Sequence, residues 1–302
     1  MRMEQKKSVE RKRGNRLGLW IFRTVVQVVG LRGAYGLLYF VSLYYLAMDR
    51  TAVSASLAYV KRRFPGHGAL RRAFDVYLLF VSQGKNLIDR YAVASGYDGI
   101  DVQIIGYDRV LDRCKERDKG FVLMTAHVGN WQVALPALQR FGRTVYLMMR
   151  PEDNAAVRDA LRIDAEQDRV KFLFTNDSLA SVIEAMKAVN RGDIVSIMGD
   201  RTYGSSACEV SFLDGVVRFP YGVFSIASAA QCPVVVLLSA RLGMNRYVID
   251  VSHIIDAPTG ARGKKQEAMK TAVQEFASML EEYVADYPYQ WFVFRDIWKS
   301  NE

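Results

Sequence analysis

The sequence is poor in the residues that build metal sites. Only three histidines and three cysteines occur among 302 residues, and the cysteines have no CxxC spacing. We therefore expect neither a metal nor a bound cofactor, and a reducing, cytosolic environment fits. There is also no GxSxG, no Walker A loop, no HExxH and no GxGxxG after a strand. Each of those motifs would have indicated a particular chemistry, so a different kind of site is expected.

Acidic residues are outnumbered by basic ones. The chain has 41 Lys and Arg against 32 Asp and Glu, a net charge of +9 and a pI of about 9.4. This balance favours anionic partners such as nucleic acid, acidic lipids or an acidic carrier protein. The positive charge lies beside apolar helices and no nucleic-acid motif occurs, so nucleic acid is not an expected partner.

A long uncharged run is also missing from the apolar N-terminal part. Residues 1–16 form a basic tail, and residues 17–95 are predicted to be an apolar and amphipathic helical region. The longest uncharged run, Gly33 to Met48, has 16 residues, fewer than the roughly 20 that span a bilayer. An interfacial or re-entrant helix pair fits best, with a tilted span and soluble core helices as alternatives. The aromatic residues expected at the interface are Trp20, Tyr35, Tyr39, Tyr44 and Tyr45, and the spacing of Gly30, Gly33 and Gly36 predicts a helix-packing face.

Residues 96–302 show alternating strand and helix patterns. This alternation predicts an α/β fold with a mostly parallel central sheet flanked by helices. The predicted strands are Val102–Ile105, Phe121–Thr125, Thr144–Met149, Lys171–Phe174, Ile194–Met198, Pro233–Ser239 and Tyr247–Val251. The predicted helices are Asp108–Arg117, Trp131–Phe141, Asn154–Gln167, Ser178–Asn190, Gly222–Ala230 and Lys264–Asp286.

The stretch FVLMTAHVGNWQ, residues 121–132, is the best candidate for a site. Phe121–Thr125 reads as a buried strand, and His127 follows it closely. Ligands of open α/β sheets bind at the carboxyl ends of strands. On position alone His127 is either a general base or a structural histidine.

Several blocks of the sequence resemble one family. AHVGNWQ resembles the H-x-G-N-W-E signature of the lysophospholipid acyltransferase-like superfamily, and the bacterial lipid A late acyltransferases (lauroyl and myristoyl transferases) are the most similar branch. The resemblance continues, in order, through VYLMMRPEDNAAVRDAL, GDIVSIMGDRTYG, VSFLDGVVRFPYGVFSIASAAQCPVVVLL and YPYQWFVFRDIW. It implies transfer of an acyl chain from acyl carrier protein or acyl-CoA to a lipid hydroxyl. The implied partners are acyl carrier protein, a lipid A-type or related acceptor and the cytoplasmic face of the inner membrane.

The resemblance also implies roles for single residues. His127 would be the general base, and backbone N–H groups near Asn130 and Trp131 would bind the oxyanion. The family has an acid where this chain has Gln132, and an acid-to-amide change in a serine-protease triad costs on the order of 10⁴ in rate. Gln132 suffices for an activated thioester, another acid such as Asp200 substitutes, or the protein has lost catalysis and only binds lipid or carrier. The remaining candidates for substrate binding are Arg150, Arg162, Asp200, Arg201, Phe219 and Gly222; Trp291 is expected to be a packing residue.

Overall fold

The computed structural model describes residues 16–94, 96–115, 119–130, 133, 138, 141–149, 169–174, 179–202 and 206–299. Within these residues the helices are α1 (Arg16–Met48), α2 (Arg50–Arg63), α3 (Ala69–Ala94), α4 (Tyr107–Lys115), α5 (Leu179–Asn190), α6 (Gly222–Ala230) and α7 (Arg262–Asp286). The strands are β1 (Asp101–Ile105), β2 (Phe121–Thr125), β3 (Val145–Met149), β4 (Val170–Phe174), β5 (Ile194–Met198), β6 (Ala207–Phe212), β7 (Gly215–Pro220), β8 (Val234–Arg241) and β9 (Arg246–Ile255). The predicted helices Trp131–Phe141 and Asn154–Gln167 lie outside the described residues, apart from single positions.

Seven of these strands form one sheet in the order β1-β9-β8-β2-β5-β3-β4. All neighbouring pairs are parallel except β8 and β9, which are antiparallel. The predicted α/β fold with a mostly parallel sheet is confirmed. The exception has a simple cause, because the short loop between β8 and β9 cannot hold the crossover that a parallel pair needs.

The strands β6 and β7 form a separate two-stranded hairpin that the sequence analysis did not predict. Its loop is Leu213 and Asp214, and both residues have positive φ. Two-residue loops of this conformation usually contain glycine. In this hairpin the Asp-Gly pair that usually marks such a loop is shifted by one position. Asp214 is the second loop residue, and Gly215 is the first residue of β7.

The core lies on both faces of the sheet. All five residues of β2 are buried, and they alternate between the two faces. Val122 and Met124 join a large cluster that includes residues of α2, α3, α5, α6 and α7. Phe121 and Leu123 join a smaller cluster on the opposite face. Since α2 and α3 share the larger cluster, the N-terminal helices are part of the same core as the sheet.

Two expectations for α1 are wrong. Gly30 has φ 73° and interrupts the helix, and a Cβ on Gly36 would meet nothing within 4 Å. The close approach of α1 to α3 occurs instead at Gly84, where a Cβ would lie 2.2 Å from Cδ1 of Leu38. Tyr35, expected at a membrane interface, is buried and hydrogen bonded to Asp89 because it faces α3.

By length and composition, Thr24–Met48 is the only segment in the described parts of the chain that could cross a membrane. Much of its surface is not covered by the rest of the protein. Its exposed large apolar residues are Val28, Val29, Tyr39, Phe40, Leu43, Tyr44 and Met48. The apolar N-terminal helix is therefore a candidate membrane-associating region.

Candidate active site

The register of the sheet brings His127 and Asp200 together. Thr125, the last residue of β2, is paired with Met198, the last residue of β5. His127 and Asp200 each follow two residues later, at the carboxyl edge of the sheet. The Nδ1 atom of His127 lies 2.8 Å from Oδ1 of Asp200, and the backbone N–H of His127 donates to Oδ2 at 3.0 Å.

Asp200 is completely buried, whereas the side chain of His127 is 23% exposed. Burial raises the pKa of the Asp200 carboxyl, but His127, the Arg201 guanidinium and the Trp291 N–H together outweigh burial. They hold that pKa well below its usual range. An ionised Asp200 accepts the Nδ1–H bond, so in the neutral imidazole the lone pair that can accept a proton is on the second nitrogen, Nε2. Within the described residues Nε2 has no hydrogen-bond partner.

A C-terminal segment, residues 290–292, pairs with the turn that carries His127. The Gly129 N–H donates to the Gln290 carbonyl at 2.8 Å, and the Phe292 N–H donates to the His127 carbonyl at 2.8 Å. Trp291 lies between these bonds, is fully buried, and donates its indole N–H to Oδ2 of Asp200 at 3.0 Å. The indole of Trp291 therefore holds the site as well as filling the core.

The turn is also held by a close approach to β8. Gly129 has φ +49°, and a Cβ there would lie 1.8 Å from the Ser239 carbonyl oxygen. The Tyr283 hydroxyl donates to that same carbonyl oxygen at 2.7 Å. No side chain fits at position 129, which explains the glycine of the HVGN turn.

Helix α3 contacts the other side of the turn. The Asn86 amide donates to the Gly129 carbonyl at 2.6 Å, and the Asn130 amide donates to the Asn86 carbonyl at 3.3 Å. Asn130, predicted to bind substrate, is buried with its side chain directed at α3. Its observed contacts position the turn.

A basic cleft is lined by Arg201, the residue that follows Asp200. It has a volume of about 300 Å³ and is bounded by residues 201–202, the β6–β7 hairpin and residues 295–299. Its cationic residues are Arg201, Arg218, Arg295 and Lys299, and its acidic residues are Glu209 and Asp296. Arg201 also donates through Nη2 to the Phe292 carbonyl. Within the part of the chain that the structure describes, Arg218 and Arg295 have no hydrogen-bond or ion-pair partner.

Of the other predicted residues, the structure describes Phe219 and Gly222. Phe219 is fully buried and packs against Phe212 and Phe276, so its ring faces the core. Gly222 begins α6, and a Cβ at this position would meet nothing within 4 Å. Trp131, Gln132, Arg150 and Arg162 lie outside the described residues. Among the described residues, no group of three or more His, Cys, Asp or Glu could hold a metal ion.

Sequence reasoning missed Asn86 and the polar role of Trp291. Asn86 lies in an otherwise amphipathic helix far from the motif, and nothing near it marks a site. The signal for Trp291 was the YPYQW block, which the resemblance had already placed among the characteristic segments.

One family of known proteins matches most of the chain. The family model described as bacterial lipid A biosynthesis acyltransferase matches residues 89–300, more than half of the chain. The crystal structure of the 1-acyl-sn-glycerophosphate (LPA) acyltransferase PlsC from Thermotoga maritima is similar with TM-score 0.37 and 13% identity. That alignment covers 81% of this chain and 95% of that chain, and a likeness of this degree supports no statement about activity. No curated protein matches the sequence.

Proposed function

The chain belongs to the bacterial lipid A biosynthesis acyltransferase family, and we propose that it transfers a fatty acyl chain from a thioester to a lipid hydroxyl. The donor is acyl carrier protein or CoA carrying the acyl chain. The acceptor is a lipid A-type lipid, a related glycolipid or a lysolipid. The hydrogen bond between His127 and Asp200 is the observation that carries this proposal.

His127 is the general base in the proposed reaction. Its Nε2 takes the proton of the acceptor hydroxyl as that oxygen attacks the thioester carbon. The C–S bond then breaks, and the imidazolium returns the proton to the departing thiolate. The reaction needs neither a covalent enzyme intermediate nor a bound cofactor. Binding of the oxyanion by backbone N–H groups near Asn130 and Trp131 stays a prediction.

Asp200 supplies the negative charge that Gln132 lacks. It fixes the Nδ1–H tautomer and stabilises the imidazolium that forms during the reaction. Its burial strengthens this interaction because few water molecules screen the charge. Of the three explanations for Gln132, the arrangement of His127 and Asp200 favours the one in which another acid substitutes.

The basic cleft fits the phosphate groups that these substrates carry. Both acyl carrier protein and CoA present the thioester on a phosphopantetheine arm, and a phosphorylated lipid acceptor would bring a second phosphate. Arg201 was predicted from the sequence to bind substrate, and Arg218 and Arg295 line the same cleft. Guanidinium groups without partners bind phosphate well because their paired N–H groups match its oxygens.

Association with the cytoplasmic face of the inner membrane is part of the proposal. The exposed apolar residues of α1 are joined by Leu70, Phe74 and Leu87 of α3. Arg71 and Arg72 lie on the same helix, where each charge near anionic lipid would contribute about 1 kcal/mol. The protein should therefore bind vesicles containing anionic lipids more tightly than neutral vesicles of the same size.

Purified protein with acyl-carrier and acyl-CoA thioesters, a lipid A precursor and a lysophospholipid tests the activity. We expect acylated product from wild type and a loss of about 10³-fold or more in His127→Ala and Asp200→Asn. An active His127→Ala variant would remove the general base from the proposal. If only Gln132→Glu gives product, the native protein is the catalytically impaired relative that binds lipid or carrier.

A further inference from the structure

A buried polar network joins α3 to the turn that carries His127. Asn86 is almost completely buried, and its amide group makes bonds on both sides. Its Nδ2 donates to the Gly129 carbonyl at 2.6 Å, and its Oδ1 accepts from the Tyr247 hydroxyl at 3.2 Å. Because the backbone carbonyl of Asn86 also accepts from Asn130, this helix turn contacts the catalytic turn at two points.

The network continues from Asn86 to the apolar helix α1. Asp89 lies three residues after Asn86 in α3. Its side chain is fully buried and accepts a hydrogen bond from Arg241 Nε at 3.0 Å. The Tyr35 hydroxyl also donates to Asp89, and the single proton of the Tyr247 hydroxyl is shared between Asp89 and Oδ1 of Asn86 in a three-centre bond. Tyr35 belongs to α1, so a continuous chain of hydrogen bonds connects the candidate membrane helix with the Gly129 carbonyl.

We propose that Asn86 is a positioning residue for His127. We also propose that the Tyr35–Asp89–Tyr247–Asn86 network makes the position of Asn86 depend on how α1 packs against α3. The inference rests on the proposed acyltransferase function. Asn86 touches neither His127 nor, in this arrangement, a substrate; it acts through the Gly129 carbonyl. The apolar helix would thereby influence the chemical step as well as attach the protein to lipid.

The physical reason is that His127 and Gly129 are two residues apart on one rigid turn. Without the Asn86 donor the buried Gly129 carbonyl loses a partner, which favours movement of the turn toward another donor. A displacement of about 1 Å in a reacting group can cost on the order of 100-fold in rate. Binding of acyl donor or acceptor does not use Asn86, so the effect should fall on kcat.

The kinetic test compares Asn86→Ala, Asn130→Ala and the double variant in detergent micelles. We expect kcat to fall about tenfold to 100-fold in Asn86→Ala with KM unchanged. The two substitutions should be non-additive, since both residues hold the same turn. An unchanged kcat in correctly folded Asn86→Ala, or additive effects on kcat, would overturn the positioning role.

Two tyrosines of α1 provide a matched pair for the rest of the network. Tyr35→Phe removes the buried bond to Asp89, whereas Tyr39→Phe removes an exposed bond, 3.0 Å long, from Lys85 of α3. Loss of one buried hydrogen bond predicts a kcat lower by about threefold to tenfold for Tyr35→Phe. Tyr39→Phe should keep the wild-type kcat. Equal kcat values in the two variants would show that α1 does not act through the network.

A second readout needs no substrate and separates the two proposals. Protein labelled with ¹⁵N-histidine should show the hydrogen-bonded Nδ1–H proton of His127. We expect that signal to broaden or shift in Asn86→Ala and Tyr35→Phe and to persist in Tyr39→Phe. An inactive wild type with these shifts would refute the proposed acyltransferase activity and keep the network. An active wild type with unchanged signals in every variant would refute the network alone.

Discussion

The indole N–H of Trp291 donates a 3.0 Å hydrogen bond to Oδ2 of Asp200, while the imidazole of His127 holds Oδ1. The carboxylate is therefore fixed from two directions, by the turn after β2 and by the C-terminal segment. Because Trp291 also packs edge-on against Tyr59 and Phe212, the same side chain joins the core to the site.

Trp291→Phe tests whether that bond matters for the reaction. A hydrogen bond to a charged group contributes roughly 1.5–3 kcal/mol, so we expect kcat to fall about tenfold or more. The control is Tyr59→Phe, which removes a 2.7 Å bond to the carbonyl of Pro288, two residues before that segment, and leaves Asp200 untouched. Steady-state kinetics of both variants, with thermal unfolding to correct for lost stability, would give the comparison. Equal kcat values in the two variants would mean that Trp291 acts only by packing.

Alanine should be much more destabilising at Gly129 than at Gly142. Gly129 and Gly142 both have positive φ, so alanine at either position costs about 1–2 kcal/mol for the backbone conformation. Only Gly129 also faces a backbone oxygen, because a Cβ on Gly142 would meet nothing within 4 Å. Gly142→Ala should fold and keep its activity, whereas Gly129→Ala should lose about 3 kcal/mol or more, and activity with it. Chemical denaturation and a thioester assay of both variants would show whether the close approach to Ser239 is real.

The basic cleft predicts an effect on substrate affinity. We expect the combined Arg218→Glu and Arg295→Glu variant to raise KM about tenfold or more and to leave kcat nearly unchanged, since neither residue touches His127. The control is Lys264→Glu with Lys265→Glu at the start of α7, which makes the same change in net charge away from the cleft.

Donors with and without phosphate identify which substrate the cleft holds. If KM rises for acyl-CoA and acyl carrier protein but not for an acyl N-acetylcysteamine thioester, the cleft binds the phosphate of the donor. If the KM of a phosphorylated acceptor rises with every donor, the cleft binds the acceptor. Unchanged KM values, or an equal rise in the α7 control, would show that the cleft binds neither.

The strands that build the site could be predicted because four of the five residues in each are apolar. Phe121–Thr125 and Ile194–Met198 have the same bounds in the structure as in the sequence analysis. A strand buried on both faces has few alternatives, so its position follows from composition alone. The position of β2 next to β5 in the sheet could not be predicted from the sequence. It depends on strand order, which no local pattern specifies, and without it Asp200 was only one of several possible partners for His127.

The contacts around the turn could not be predicted for a related reason. Asn86, Ser239 and Trp291 come from three distant parts of the chain, and each is an ordinary residue in its local sequence. The prediction for Tyr35 was wrong because a tyrosine in an apolar helix has the same local sequence in two different cases. Its hydroxyl can meet lipid headgroups at a membrane interface, or it can meet a buried carboxylate. Only the packing of α1 on α3 distinguishes the two cases.

Asp200 should make the stability of the protein depend on pH in the acid range. Its folded-state pKa lies well below the value of about 3.9 for an unfolded aspartate, so the ionised carboxylate stabilises the folded state. That contribution is complete above about pH 5 and is lost as the pH falls through 4 toward the folded-state pKa. We therefore expect the difference in unfolding free energy between wild type and Asp200→Asn to shrink as the pH is lowered from 5 to 3. Urea unfolding in detergent at each pH would measure it. A difference that stays constant from pH 5 to pH 3 would mean that the pKa of Asp200 is not lowered, and the hydrogen bonds to its ionised carboxylate would then contribute little to the folded state.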